Sequence, residues 1–417
     1  MARATLFPAD IGPAKIDVNL DEIDQYKAHM SWLTASEALE KLGVQPQTLY
    51  ANVSRGRIRA KPDPAEARRS LYHAKDVERL AERHAGRRKA EVVATQAIAF
   101  GEPVLASSLS TIAEGKLWYC GHDAALLAER ATLEQVAALF WGAGPISFTR
   151  HACVLPQTGR HDPPAPLLQA FAALAARAGL DPPSRGRSPA ILRLEAAEIM
   201  ATLADALLGP LAGVLDQPLH ERVAEAWNRP LATDLIRRAL VLLADHELNA
   251  STFATRVAAS TGASLAASVL AGLATLTGPL HGGASARAQA LCTRAAATGP
   301  EEAVRAALEL GQSVPAFGHA LYAGQDARAS ALMKGFELPS GFAALMATAR
   351  RIVGEEPNID FALAAFAVAH ELPEDAPLVL FALARCVGWL AHALEQVEKG
   401  QLIRPRARYV EPAVGTE

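Results

Sequence analysis

Residues 279–286 read Pro-Leu-His-Gly-Gly-Ala-Ser-Ala, a histidine set between a proline-led turn and two glycines. The segment that begins within it, ASARAQALCTRAA, has the Ala-rich composition of a helix. Gly282 and Gly283 have no side chain to crowd a ligand, and they open backbone angles closed to other residues. His281 is therefore expected at or near a helix N-terminus, where the positive end of the dipole disfavours imidazolium. A neutral imidazole in that place can donate a hydrogen bond to a developing oxyanion. Taken alone, the stretch has a second reading, a capped turn with an incidental histidine.

Three further stretches set titratable side chains among small or turn-forming residues: ADHELNAST (244–252), VPAFGHALYAGQDARA (314–329) and PNIDFALAAF (357–366). His319 follows Gly318, where the backbone can approach a ligand closely. Asp360 follows Pro357-Asn358 and leads into an apolar helix, so its carboxylate borders a hydrophobic surface. Desolvation there raises its basicity, as suits a base for a weakly acidic carbon-bound proton. Each stretch also has a structural reading: a turn histidine satisfying a carbonyl, or an aspartate capping a helix.

The surrounding segments space apolar residues at three and four, as in residues 125–142, 166–179, 194–209 and 234–247, which predicts helices. Strand-like alternation is concentrated in residues 102–119. No GxGxxG follows a strand, and there is no Walker A loop or GxSxG elbow, which disfavours nucleotide-cofactor and serine-hydrolase chemistry. The fold class read from these patterns is mainly α.

In series, GPLHGGA, FGH…DAR and PNIDF resemble the citrate synthase family. The resemblance runs from roughly Phe100 to Pro412, opening with STIAEGKLWYCGHD and closing with FALARCVGWLAHALEQVEKGQLIRPRARY. It implies a helical homodimer with a large domain (about 91–290 and 375–417) and a small one (about 291–374) that closes over substrate. It also implies an acyltransferase joining acetyl-CoA or propionyl-CoA, as cosubstrate, to oxaloacetate, giving citrate or 2-methylcitrate, with no metal and no permanently bound cofactor. By the same resemblance Asp360 is the base and His281 the donor to the thioester oxygen, while His319 polarises the oxaloacetate carbonyl. His246, Arg328, Arg385 and Arg404 hold the dicarboxylate, Arg404 in the neighbouring subunit's site. The match departs from the family pattern at Cys120, Ala316, Ala320, Ala323 and Ala327, which bears on acyl-CoA recognition more than on the catalytic trio.

Residues 31–90 carry 13 Lys/Arg against 7 Asp/Glu, whereas the rest of the chain carries 28 against 37. Such asymmetry points to one module that meets an anion. Thr34 and Glu37 form a capping-box pattern opening a helix through Leu42; Gly43 makes a turn and Pro46 opens a second helix to about Ser54. The segments RIRA and SLY suggest a small wing, and Asp76 the start of a third helix. This stretch resembles the MerR/excisionase-like helix-turn-helix family, a small winged domain after an N-terminal arm (1–30). The resemblance implies DNA as a partner, with Gln47, Thr48, Asn52 and Arg55 facing it and Leu49 and Val53 packed inward. Arg57, Arg59, Arg68 and Arg69 would supply backbone contacts. A metabolite-sensing DNA-binding regulator that uses the larger body as sensor is thus the alternative to the enzyme.

Half of the residues are hydrophobic and a fifth charged, ample for a core. Four scattered cysteines suggest neither a disulfide framework nor a zinc ribbon, and the N-terminus lacks a signal-peptide core, which together favour the cytoplasm. The longest apolar run, 264–280, is interrupted by polar residues and predicts a buried helix rather than a membrane span.

Overall fold

The structure, a computed structural model, describes residues 32–54, 57–64, 66, 69–78, 105–148, 165–209, 217–310, 313–322, 324–407 and 409. The chain divides into two compact units between Ala106 and Ser107. The boundary read from composition, 90/91, falls outside the described residues.

In the first unit β1 (Trp32–Leu33) leads into α1 (Ala35–Leu42) and α2 (Pro46–Ser54), then β2 (Ala60–Pro62) and β3 (Ser70–His73). The capping box forms as expected: Glu37 accepts from the Thr34 amide at 2.8 Å and donates its own amide to Thr34 Oγ1 at 3.4 Å. Gly43 ends α1 in the left-handed region. The strands form an antiparallel sheet in the order β1-β3-β2 around a core of Ala38, Leu42, Leu49, Ile58, Tyr72 and Val77. The first strand of the expected wing begins at the last residue of RIRA, while Arg59 donates to Asp76 from both its backbone amide and its guanidinium. Asp76 sits inside a helical stretch at 74–78 rather than at its start. Leu49 is buried and Val53 packs against the core; Gln47 and Thr48 are exposed. Asn52 is turned inward, its amide donating to the Thr48 carbonyl at 2.8 Å. It therefore does not share their exposed face. Arg55 and Arg68 lie outside the described residues.

The second unit opens on a meander, β4 (Ser110–Ala113), β5 (Lys116–Tyr119) and β6 (His122–Asp123). Both turns are two-residue turns with positive φ throughout, Glu114-Gly115 and Cys120-Gly121, which matches strand twist. Helices follow: α3 (Ala124–Arg130), α4 (Leu133–Trp141), α5 (Pro166–Leu180), α6 (Pro189–Leu208), α7 (Leu219–Ala226) and α8 (Thr233–Leu243). Then come α9 (Ala250–Ser260), α10 (Leu265–Leu276), α11 (Ala284–Thr298) and α12 (Pro300–Glu309). The last are α13 (Ala327–Met333), α14 (Ser340–Val353), α15 (Ile359–Ala369) and α16 (Ala376–Lys399). The run at 264–280 is the buried helix α10, as expected.

Two hydrophobic cores form in this unit. The larger gathers α3 to α10 around α16; the smaller is built from α11, α12, α14 and the 314–317 segment. α15 serves both: Ile359, Ala362, Leu363 and Phe366 enter the larger core, Phe361, Ala364 and Ala365 the smaller. A helix apolar all round needs burial on every face, and this placement supplies it. α16 is long and apolar enough to cross a membrane, yet 89% of its apolar window is buried within the protein. It closes on the 244–245 backbone at Gly388, where an added Cβ would stand 2.3 Å from the Ala244 carbonyl oxygen.

Candidate active site

Two loops laced together build the centre of the site. Asn358 N donates to the Ala316 carbonyl at 3.0 Å, Gly318 N to Glu356 at 2.8 Å, and the Asn358 amide side chain to Gly318 at 3.0 Å. These bonds fix the AFGH segment, with His319, against PNID, with Asp360. Gly318 takes φ 71°, a backbone angle that favours glycine, and a Cβ there would stand 2.9 Å from the exposed Glu355 carboxylate, which would have to swing aside. Ala316 holds the same left-handed region, φ 67°, without being glycine.

Asn358 caps α15 by accepting from the Asp360 amide at 3.0 Å, so the expected cap is one residue pair earlier and the Asp360 carboxylate is released for other contacts. Ser285, in the first turn of α11, donates to Asp360 Oδ1 at 2.7 Å. Burial nevertheless raises the carboxyl above the ordinary aspartate range; the Ser285 bond opposes that rise.

His281 lies in a tight turn before α11, its amide donating to Gly278 at 2.9 Å. Gly282 makes that turn possible, since a Cβ would meet the Leu276 carbonyl oxygen at 2.5 Å. The ring's Nε2 is 2.8 Å from Ser251 Oγ, which also accepts from Trp389 Nε1 at 3.2 Å. Burial, and then the charge of Arg385, push the imidazole down to about 4, so it is neutral near pH 7. His319 is likewise pushed down to about 4 by burial and by Arg328. Its Nδ1 accepts from the Leu321 amide at 3.1 Å, which leaves the proton of the neutral ring on Nε2.

His246 is buried, and its ring stands edge-on to His319 with centroids 5.1 Å apart. Burial and then Arg328, Arg385, His319 and His281 hold it well below its ordinary range. Arg328 is buried against Asp326, donating from Nε at 3.0 Å and from its terminal nitrogen at 2.8 Å. Asp326 also caps α13 and accepts from the Ile359 amide at 3.1 Å, tying that arginine to the start of α15. Arg385 is buried in α16, its Nε donating to the Leu243 carbonyl at 3.0 Å and its guanidinium over Phe381 at 4.8 Å. One of its terminal nitrogens is buried with no hydrogen-bond partner, and burial pulls its pKa down to about 10. A buried cation with an idle donor is costly unless an anion completes it.

The fold thus brings together six of the seven residues read from the body: His246, His281, His319, Arg328, Asp360 and Arg385. Arg404 stands apart, exposed on the segment after α16. Ser251, Ser285, Tyr322 and Asp326 were missed by sequence reasoning. A single serine or tyrosine has no periodic signature; Asp326 alone gave a signal, as an acid just before a predicted helix. Among the described residues no cluster of His, Cys, Asp or Glu has the makings of a metal site.

The family model described as citrate synthase, C-terminal domain, matches residues 99–406. Citrate synthase 2 of Bacillus subtilis (strain 168) is 29% identical over 352 residues, spanning 73% of this chain and 93% of that enzyme. The 2-methylcitrate synthase 2 of Corynebacterium glutamicum is 34% identical over 185 residues, 41% of this chain and 48% of its own length. Among solved structures, the ternary complex of carboxymethyl coenzyme A and oxaloacetate with citrate synthase from Thermoplasma acidophilum aligns with a TM-score of 0.63 at 25% identity. That alignment covers 76% of this chain and 96% of the archaeal one. A match along three quarters of the sequence, on the helical fold just described, makes this chain a member of the citrate synthase family of transferases.

Proposed function

We propose that the protein condenses an acyl-CoA, acetyl or propionyl, with oxaloacetate and then hydrolyses the thioester. The observation that carries this reading is the meeting of two neutral imidazoles and a carboxyl of raised basicity beside Arg385, whose buried donor lacks a partner. Asp360 takes the proton from the carbon next to the thioester. His281, a neutral imidazole whose Nε2 is held 2.8 Å from Ser251 Oγ, stabilises the resulting enolate oxygen by hydrogen bonding. The enolate carbon attacks the oxaloacetate carbonyl as His319 donates its Nε2 proton to the new alkoxide. Water then cleaves the thioester and CoA leaves as a thiol. His246, Arg328 and Arg385 hold the two carboxylates; the exposed Arg404 completes the site of a second subunit in a homodimer. The departures at Ala316 and Ala320 bear on acyl-CoA recognition, and propionyl-CoA is the alternative substrate because one methylene is hard to exclude. A thiol-release assay with oxaloacetate and each acyl-CoA tests the proposal: turnover lost in Asp360→Ala supports it, and turnover unchanged in that variant removes the base.

The N-terminal unit supports a second role, DNA binding by a winged helix-turn-helix module that would make the protein a metabolite-responsive regulator as well. The favouring feature is α2, which exposes Gln47, Thr48 and Tyr50 while Leu49 and Asn52 anchor it from behind. Basic side chains there are partly engaged, Arg59 by Asp76 at 2.8 Å and Arg69 by Glu66 at 2.9 Å, so base-edge contacts from α2 carry more of this reading than phosphate contacts. A gel-shift titration on the DNA upstream of the protein's own gene, run at several salt concentrations, tests it. Binding that shows no salt dependence, or none at all, would set the regulator aside.

A further inference from the structure

Tyr322 was not among the residues singled out by sequence, yet its ring touches three that were. Its hydroxyl is 3.1 Å from His246 Nε2, its ring lies edge-on to His319 with centroids 5.0 Å apart, and the Arg328 guanidinium sits 5.5 Å above its face. The side chain is buried, and its amide donates to the His319 carbonyl at 3.2 Å, so its place in the turn after Gly318 is fixed.

We propose that Tyr322 is a positioning residue that selects the tautomer of His246, holding the ring proton on Nδ1 where it can be given to a substrate oxygen. Only one nitrogen of a neutral imidazole carries a proton, and the Tyr322 contact decides which. If Nε2 bore it, the ring would donate to the phenol oxygen, and the phenol proton would need another acceptor in a buried place already crowded by Arg328. If Nδ1 bears it, the phenol donates to Nε2 and both groups are satisfied. Burial supports the second arrangement: it pushes the phenol up to about 12, so its proton stays, and holds His246 neutral. The same ring packs on Arg328, so a single side chain orders a neutral donor and a cation toward the same anion.

The role in catalysis rests on the synthase reading, but the tautomer does not, and the test separates them. Ring ¹⁵N shifts of His246, assigned with His246→Asn, should report the Nδ1–H form in the unliganded protein, moving toward Nε2–H in Tyr322→Phe. In kinetics Tyr322→Phe should raise the KM for oxaloacetate about tenfold, since the Nδ1 lone pair would then face the carboxylate, while the KM for the acyl-CoA stays within twofold. A shape-only role predicts both KM values rising together with a lower melting temperature. An Nε2–H ring in the unaltered protein, or shifts unchanged in Tyr322→Phe, overturns the proposal even if turnover is robust. Absent turnover with the Nδ1–H ring in place would leave the tautomer standing and remove only the synthase reading.

Discussion

The Ser285 hydroxyl donates to Asp360 Oδ1 across 2.7 Å, a bond that pulls the carboxyl's proton affinity down against burial. Ser285→Ala therefore raises the affinity further. The acid limb of the rate–pH profile should move to higher pH, and turnover at neutral pH should fall roughly tenfold, about 1.4 kcal/mol of barrier. An acid limb that stays in place would mean that Asp360 is not the titrating base.

On the proposed mechanism, Asp360 is also a site where stability is exchanged for reactivity. A buried carboxyl with a raised pKa binds its proton more tightly folded than unfolded, so the fold weakens as pH rises through that interval and the group ionises. Asp360→Asn keeps an oxygen for Ser285 and removes the charge. It should abolish turnover while raising the melting temperature at pH 7; a melting temperature that drops instead would contradict the buried charge.

His281 and His319 predict the opposite slope. Their folded values lie near 4, against 6.5 for the free side chain, so the unfolded chain binds more protons between those limits. Stability is fully present above pH ~6.5 and declines as pH falls toward ~4, by roughly a few kcal/mol for the pair after allowing for partial exposure. Urea unfolding at pH 7 and pH 5 should show this loss, and His281→Gln should shrink it. An equal loss in the variant would place the titration elsewhere.

Arg385 uses Nε on the Leu243 carbonyl and keeps a buried terminal nitrogen without a partner. Lysine cannot serve both directions from one ammonium. Arg385→Lys should raise the KM for oxaloacetate about ten- to a hundredfold, as expected for one charge-assisted hydrogen bond of ~1.5–3 kcal/mol. Equal KM values would show that the anion binds elsewhere.

Gly318 and Ala316 form a matched pair of tests in one loop. Gly318→Ala places a side chain at positive φ, with the exposed Glu355 carboxylate free to swing aside, and should destabilise by about 1–3 kcal/mol, with turnover reduced through His319. Ala316→Gly releases strain at φ 67° and should change stability by less than about 1 kcal/mol, where the same exchange within a helix costs nearly that much. Melting curves of the two variants decide the matter; a large loss from Ala316→Gly would argue against the strained turn.

His281, His319 and Asp360 stood out in the sequence because each sits beside a glycine, a proline or an apolar helix that marks a special environment, whereas the arginines came only from the resemblance. Period-three-and-four spacing likewise announced α4, α5, α6 and α8, apolar runs announced α10 and α15, and the Thr34–Glu37 box announced α1. Long-range partners were hidden. Nothing local to Ser251 says that it will meet His281, since α16 must first bring Trp389 against it. Asn52 misled for a related reason: its spacing from Gln47 and Thr48 suited an exposed face, but its amide found a helix carbonyl one turn back. The Arg59–Asp76 pairing was likewise hidden, since the two lie 17 residues apart along the chain.

α15 forms a wall of both hydrophobic interiors at once, with Asp360 near its tip. Each interior uses that helix as a wall, so the dry surroundings that raise this carboxyl's basicity depend on both. On the proposed mechanism, loosening either half should therefore cost activity as well as stability, because both halves bear on the one carboxyl.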